Sequence, residues 1–132
     1  MKFKQRYLYE ERVKESTRVR TKYPDRVPVI CEKTARSSMS EIDKNKYLVP
    51  MDLTIGQFVY VVRKRLKLPS EKAIFLFVGG TMKSTSTQLQ EAYDEHKDND
   101  GFLYITYSDE NVFGWFSQSV FVYNAREIQR LL

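Results

Sequence analysis

The side chains best suited to nucleophilic catalysis are scarce in this chain of 132 residues. It holds one cysteine, Cys31, and one histidine, His96, so a Cys/His catalytic pair could only be formed by these two. Cys31 follows Ile30 in a β-branched run, where a thiol behaves as a small buried hydrophobe. A single cysteine also excludes a disulfide framework and a zinc cage of thiolates. The chain is therefore predicted to carry no catalytic residue and not to be an enzyme.

The acidic stretch at residues 98–101 has some of the residues of a calcium-binding EF-hand loop. Placing Gly101 at the sixth loop position puts His96 first and Tyr107 twelfth. The leading aspartate and the bidentate glutamate of such a loop are then both missing. We predict a turn at this stretch, with no metal bound.

Composition indicates one globular domain. Apolar residues make up 42% and aromatic residues 14% of the chain, which is enough to build a core. No apolar run approaches the ~20 residues of a membrane-spanning helix. Lys2, Lys4 and Arg6 stand where a signal peptide needs apolar residues. A cytoplasmic location is therefore expected.

The net charge of +5 is unevenly distributed along the chain. Residues 1–26 hold nine Lys and Arg against four Asp and Glu, which accounts for all of the excess. A basic surface of this kind suits nucleic acid, an anionic membrane or acidic peptides. Glu10, Glu11 and Glu15 interrupt the basic residues and argue against nucleic acid. We therefore predict no nucleic-acid partner.

The first part of the chain is predicted to form two helices, over residues 2–7 and 10–23. In the second helix, Val13 and Val19 give only a thin apolar stripe, which is typical of a helix on a surface. Pro24 ends this helix, because the residue before a proline is pushed out of the α region.

Four short β-branched or aromatic runs are predicted to be strands, over residues 27–31, 46–50, 73–78 and 102–107. Pro28 cannot donate a ladder hydrogen bond, so we expect its position at a sheet edge or at a strand start. A short helix is expected over residues 88–96.

The run at residues 58–62 has the propensity of a strand but the spacing of a helix. Thr54 and Gln57 can form a capping box before it. Four apolar side chains then recur at helical intervals, and the spacing predicts a helix; they are Phe58, Val61, Val62 and Leu66. The predicted fold is α+β, a ubiquitin-like β-grasp preceded by two additional N-terminal helices.

Several motifs in this order resemble one family. They are residues 23–30 (YPDRVPVI), 46–50 (KYLVP), 52–58 (DLTIGQF), 63–65 (RKR), 100–104 (DGFLY) and 107–114 (YSDENVFG). The chain is identified by them as a member of the autophagy-related protein eight family of ubiquitin-like modifiers. This family includes the GABA-receptor-associated proteins and the microtubule-associated light chains. The motifs at residues 23–30 and 46–58 favour the first branch and the loop at residues 79–85 favours the second, so the branch stays open.

The resemblance implies processing and lipidation at Gly114. In this family a cysteine protease cuts after a glycine, here between Gly114 and Trp115, and E1-like and E2-like enzymes join the glycine to phosphatidylethanolamine. Phe113 matches the aromatic residue that precedes the glycine. Glycine suits this position because an extended chain without Cβ atoms can thread a narrow channel. The alternative is that Gly114 only forms a turn. No cofactor is implied beyond the covalent phosphatidylethanolamine.

The resemblance also implies a groove for peptides with an aromatic-x-x-aliphatic core, such as those of cargo receptors. An extended peptide would add to the open edge of the strand at residues 46–50 and place alternate side chains in two pockets. The aromatic pocket would consist of Glu15, Val19, Pro28, Lys46, Leu48 and Phe102. The aliphatic pocket would consist of Tyr47, Val49, Pro50, Leu53, Phe58, Val61 and Val62. A basic rim for acidic flanking residues would consist of Arg26, Lys44 and Arg65. The alternatives are ordinary core packing and a solvated basic face.

The last 18 residues depart from the family. Ten of them are apolar, with a possible strand at residues 120–123 and a possible helix at 124–132. The domain division expected is a helical subdomain at 1–26, a ubiquitin-like domain at 27–114 and a C-terminal extension at 115–132. The extension is favoured as a propeptide, and it could instead fold onto the body or be retained.

The function expected is that of an autophagy modifier on autophagosomal membranes and cytoplasmic vesicles. Two alternatives remain open. One is an unconjugated soluble adapter, and the other is a microtubule-binding module that acts through the basic N-terminal helices.

Overall fold

The computed structural model describes residues 2–110 and contains four helices and four strands in that range. The helices are α1 (Phe3–Arg6), α2 (Tyr9–Lys22), α3 (Ile55–Leu66) and α4 (Leu89–His96). The strands are β1 (Arg26–Lys33), β2 (Lys46–Pro50), β3 (Phe75–Val78) and β4 (Leu103–Ser108). Their order along the chain is the one predicted, and the α+β ubiquitin-like fold is confirmed. Within the described range, no helix is both long enough and apolar enough to cross a bilayer.

The four strands form one mixed sheet in the order β2-β1-β4-β3. Strands β1 and β4 are parallel and lie at the centre, while β2 pairs antiparallel with β1 and β3 antiparallel with β4. Strands β2 and β3 are therefore the two edges. The predicted edge position of β2 is confirmed.

Pro28 lies in the central strand β1 without costing a hydrogen bond. The pairing of β1 with β4 begins only at Val29, so Pro28 has β2 as its one neighbour. Pro28 stands opposite Leu48, one position from Val29 and Tyr47. The prediction of a position near a strand start is confirmed.

Helix α3 forms where strand propensity and helical spacing disagreed. The side chain of Thr54 accepts a hydrogen bond from Gln57 N at 3.2 Å, and the side chain of Gln57 accepts one from Thr54 N at 2.9 Å. The buried stripe of the helix consists of Ile55, Phe58, Val59 and Val62, with Arg63 beside it. Val61 and Leu66 are only half-buried, so they lie at the margin of the stripe and not at its centre. The helical spacing prevails because it lets one face of the segment enter the core.

The sheet carries apolar clusters on both faces. The larger cluster packs α3 against alternate residues of β1, including Val27, Val29 and Cys31. The smaller one consists of Phe3, Ile30 and Phe102, with the Phe3 and Phe102 rings edge to face at 5.3 Å between centroids. Alternation along β1 therefore sends Val29 and Ile30 to opposite faces. The second cluster attaches α1 to the sheet, together with a hydrogen bond from Phe3 N to the Glu32 carboxylate at 2.7 Å.

Helix α2 is attached to the turn before β4 by a buried carboxylate. Asp100 is 1% exposed and its side chain accepts hydrogen bonds from Arg12 Nε at 2.8 Å, Phe102 N at 2.9 Å and Tyr104 Oη at 2.5 Å. Ser16 Oγ donates to the Asp100 carbonyl at 2.5 Å. Gly101 has a φ of +91°, and a Cβ there would come within 2.3 Å of Ser16 Oγ. This close approach requires glycine. The predicted turn at residues 98–101 is present.

Candidate peptide-docking edge

The free edge of β2 offers unpaired backbone groups. Cys31 N donates to Asn45 O at 2.7 Å, which makes Cys31 and Asn45 a hydrogen-bonded pair of the antiparallel β1–β2 ladder. Such pairs alternate along the strands, so Tyr47 and Val49 also bond to β1. Lys46 and Leu48 then direct their N–H and C=O groups away from the sheet. An added strand would find its hydrogen bonds at these two residues.

Side chains along β2 alternate between the two faces of the sheet. Tyr47 and Val49 are buried in the larger core cluster on the α3 side, and Leu48 is half-buried beside Pro28 on the opposite side. The two predicted pockets therefore lie on opposite faces, separated by the edge strand. By the alternation along the strand, Pro50 lies on the same face as Leu48 and on the face opposite to Tyr47 and Val49. It is exposed at the end of the strand.

The residues predicted for the aromatic pocket meet between α2 and the sheet. Lys46 Nζ lies 3.2 Å from the Glu15 carboxylate, which joins β2 to α2. Val19 is buried on the same helix. Phe102 is fully buried in the smaller cluster, so it forms the floor beneath this region and has no exposed surface. Glu15, Lys46 and Leu48 are the members that a ligand can reach directly.

The residues predicted for the aliphatic pocket are mostly core residues. Phe58 is 1% exposed and Val62 is 0% exposed, and Phe58 packs edge to face against Tyr47 with 5.5 Å between ring centroids. Leu53 and Val61 are half-buried and pack against the same cluster. A ligand side chain would therefore contact Leu53 and Val61 first. It would reach the buried Phe58 and Val62 only if Leu53 and Val61 moved apart.

The basic side chains around the edge are engaged within the molecule. Arg65 Nε lies 2.8 Å from the Asp43 carboxylate, and this contact lowers the pKa of Asp43. Lys44 Nζ lies 5.1 Å from the centre of the Tyr47 ring. The hydrogen bond from Arg18, followed by the contact with Lys46, lowers the pKa of Glu15. Acidic flanking residues of a peptide would compete with these internal carboxylates.

Two features of the edge were not predicted from the sequence. Arg26 Nη1 donates to the Leu48 carbonyl at 3.3 Å, so one of the outward backbone groups is already covered. The Tyr47 hydroxyl is buried and has no hydrogen-bond partner within the described residues, and burial raises the pKa of Tyr47 to about 12. Residue spacing carries no signal for either feature, because both depend on how a side chain turns in the folded molecule.

The candidate catalytic side chains are poorly placed for chemistry. Cys31 is fully buried in the core, and burial raises the pKa of its thiol. A protonated, enclosed thiol is a poor nucleophile. His96 lies at the end of α4 against Gly79, where a Cβ would come within 2.3 Å of its ring. Between residues 2 and 110, no group of three or more His, Cys, Asp or Glu side chains is placed to hold a metal ion.

The predicted processing residues Phe113, Gly114 and Trp115 lie outside the described residues, as do the strand and helix expected at residues 120–132. The structure describes the chain that leads toward them as far as Glu110, two residues beyond the end of β4.

Comparison with known proteins identifies the family. The family model described as "Autophagy protein Atg8 ubiquitin like" matches residues 11–114. Autophagy-related protein 8 of Candida glabrata is 58% identical over 113 residues, which cover 86% of this chain and 96% of that protein. Autophagy-related protein 8 of Neurospora crassa is 59% identical over 115 residues, 87% of this chain and 95% of that protein.

A solved structure shows the same fold. The crystal structure of Trypanosoma brucei ATG8 superposes with a TM-score of 0.78 at 45% identity, covering 82% of this chain and 93% of that one. Sequence and fold agree, and the chain belongs to the Atg8 family of ubiquitin-like autophagy proteins.

Proposed function

We propose that this chain is a modifier that is cleaved after Gly114, conjugated there to phosphatidylethanolamine, and used to recruit peptide-bearing partners to autophagosomal membranes. The observation that carries the proposal is the open edge of β2, with its outward backbone groups at Lys46 and Leu48. The family match supports the cleavage position, since it ends at Gly114 although the chain continues to residue 132.

The docking step adds a strand to β2. Burying an aromatic side chain removes ~150–250 Å² from water, which is worth roughly 4–6 kcal/mol. Micromolar binding requires about 8 kcal/mol net. The aromatic pocket alone therefore falls short, and the aliphatic pocket, the backbone hydrogen bonds and the basic side chains must supply the rest.

The anchoring step uses a lipid with two acyl chains. A single chain gives marginal, reversible attachment at ~0.8 kcal/mol per buried CH₂ group, and stable anchoring needs a second one. Phosphatidylethanolamine supplies both chains in one conjugation. The partners required are a processing cysteine protease, E1-like and E2-like enzymes, and proteins with aromatic-x-x-aliphatic motifs. The chain would be cytoplasmic before lipidation and on autophagosomal and vesicle membranes after it.

Membrane flotation of Gly114→Ala tests the anchoring step. A Cβ at the cleavage position hinders threading into the protease channel, so we expect the variant to remain in the soluble fraction and keep residues 115–132. Ser117→Ala, in the segment to be removed, is the control and should float with membranes as the parent chain does. Flotation of Gly114→Ala at the parent level would contradict the proposal, and a parent chain that does not float at all would favour the unconjugated soluble adapter.

A further inference from the structure

A serine-rich loop is attached to the end of β4 through one carboxylate. The loop connects β1 to β2 and contains Ser37 and Ser38. Ser37 Oγ donates to Asp109 Oδ1 at 3.0 Å, and Ser38 Oγ donates to Asp109 Oδ2 at 3.4 Å. Asp109 is the first residue after β4. Both of its carboxylate oxygens are thus held by two adjacent residues that lie more than 70 positions earlier in the chain.

The same segment of the loop is folded tightly around this contact. Ser37 is 6% exposed, and its Oγ also accepts from Met39 N at 3.1 Å. Tyr107 Oη donates to Ser40 O at 2.7 Å, so a second residue of the β4 end holds the loop. Met39 packs against the larger core cluster. Ser38, in contrast, is exposed. Of the two serines that reach Asp109, Ser38 is the one that an enzyme can approach in the folded molecule.

We propose that Ser38 is a phosphorylation site and that a phosphate there detaches the loop from Asp109. A kinase would transfer the γ-phosphoryl group of a nucleoside triphosphate to Ser38. The Oγ–P bond forms as the bond from the γ-phosphorus to the bridging oxygen breaks, the nucleoside diphosphate leaves, and the hydroxyl proton passes to the kinase's base. Arg36 is exposed two residues before Ser38 and offers a cation to an acidic kinase cleft.

A phosphate on Ser38 would replace an attractive contact by a repulsive one, because the hydroxyl now donates to the Asp109 carboxylate and a phosphate would be repelled by it. A phosphoserine carries a charge of about −1.5 to −2 and offers acceptor oxygens. Its neighbours would be the Asp109 carboxylate, already 3.4 Å from Ser38 Oγ, and Glu110 next in the chain. The nearby ammonium group of Lys33 donates to Ser37 O at 2.8 Å and to Thr34 O at 3.1 Å, and lies 4.0 Å from Glu41. Because Lys33 is engaged by these groups, it does not offset the like-charge repulsion between the phosphate and Asp109.

Opening the contact would free the start of the C-terminal arm, which we define as residues 109–114. This consequence rests on the proposed function, since it concerns how the arm reaches the protease, whereas the loss of the Ser38–Asp109 contact does not depend on it. A free arm can enter the protease channel without first breaking its hydrogen bonds to the loop. Phosphorylation is therefore expected to raise the rate of cleavage after Gly114.

The test uses the full chain with phosphoserine placed at position 38. Phosphoserine at position 70 is the matched control, because Ser70 is also exposed and also donates to a carboxylate, but to that of the adjacent Glu71. Losing a hydrogen bond to a charged group should speed amide hydrogen exchange at residues 37–40 and 108–110 by about tenfold or more. The control should exchange there as the unmodified chain does.

Asp109→Asn separates electrostatic opening from general disruption of the loop. An amide keeps an acceptor for Ser37 and can donate to the phosphate, so phosphoserine 38 should not speed exchange in this variant. Two results would overturn the mechanism. One is that phosphoserine 38 speeds amide exchange equally in the parent chain and in Asp109→Asn, and the other is that it does not speed exchange in the parent chain.

Mass spectrometry of the protein isolated from its own cells tests the modification itself. We expect a peptide that carries phosphate on Ser38 in growing or starved cells, and its absence from both would overturn the assignment. A chain that is never cut after Gly114 would refute the proposed function, while the exchange experiment would still decide on the contact.

Discussion

At the scale of residues, one buried carboxylate holds helix α2 against the turn before β4. Asp100 accepts from Arg12 of α2 and from Phe102 and Tyr104 at the start of β4. Removing one partner of a buried ion pair leaves the other charge unpaired, which costs more than the loss of the contact itself. The contact joins residues 88 positions apart, so it acts on the tertiary structure and not on one helix alone.

We predict that Asp100→Ala lowers the free energy of unfolding by about 3 kcal/mol, at the lower end of the range for breaking a buried pair. The reason is that the Arg12 guanidinium and the Tyr104 hydroxyl then lose their shared acceptor. Urea denaturation measures the change. Asp43→Ala is the control, because Asp43 and its partner Arg65 are both largely exposed and such surface pairs contribute little to stability. Equal losses in the two variants would refute the special role of Asp100.

The Glu15 carboxylate gives a pH dependence with a definite sign. Its pKa lies below the ordinary value of 4.5, first because of the hydrogen bond from Arg18 and then because of Lys46. A lowered folded-state pKa stabilises the fold above the unfolded-state pKa, and this stabilisation is lost as the pH falls through the folded-state pKa.

We therefore expect the Glu15 contribution to stability to stay constant from pH 7 to pH 5 and to decline below about pH 4.5. Thermal unfolding of the parent chain and of Glu15→Gln across this range is the measurement. The difference in midpoint between the two should shrink as the pH drops. A difference that grows on acidification would contradict the assigned ion pairs.

At the scale of elements, strand β2 uses one set of backbone groups to pair with β1 and presents the other set at the free edge of the sheet. Tyr47 and Val49 bond inward to β1, while Lys46 and Leu48 face outward. The inward set holds the sheet together, and the outward set is free to receive a peptide, apart from the Leu48 carbonyl that Arg26 covers. Folding and docking can therefore be separated by substitution at an outward position.

We predict that Lys46→Pro weakens strand addition while leaving the sheet intact. Proline removes the outward N–H at position 46, and edge strands tolerate proline where the N–H faces solvent. Lys46→Ala removes the same side chain and keeps the N–H. Calorimetric titration with an aromatic-x-x-aliphatic peptide should show at least a tenfold weaker Kd for Lys46→Pro than for Lys46→Ala, because one hydrogen bond is lost and its acceptor stays unpaired.

Two results would count against docking at this edge. Equal affinities of Lys46→Pro and Lys46→Ala would mean that the peptide does not bond to the backbone here. Chemical-shift changes that map to β3 in place of β2 would place the groove at the other edge.

At the scale of the whole molecule, the element order could be predicted from the sequence because its signals are local. Prolines, the Thr54 capping box and the helical spacing in α3 all act within a few residues, and the structure confirms the elements they predict. The edge position of β2 followed from that order and from the family motifs.

The side-chain partners could not be predicted in the same way. The bonds of Asp100 to Arg12, of Asp109 to Ser37 and of Arg26 to the Leu48 carbonyl join distant parts of the chain. These bonds form only once the sheet and helices have assembled, and no residue spacing predicts them. For the same reason the sequence did not show that Phe58, Val62 and Phe102 are almost entirely buried.

The structure also shows where some of the excess positive charge of the first 26 residues lies. Arg12 is used to hold Asp100, and Arg18 lies against Glu15, so part of this charge serves the structure. Of the other basic residues, Arg26 lies at the free edge of β2, where it donates to the Leu48 carbonyl and suits acidic residues beside a docked peptide.

The central claim is that this chain is a lipid-conjugated modifier, and the mass of its C-terminal peptide in cells tests that claim most directly. We expect a peptide that ends at Gly114 and carries phosphatidylethanolamine in the membrane fraction, with unlipidated Gly114 ends in the soluble fraction. Chains that all end at Leu132 in both fractions would contradict it.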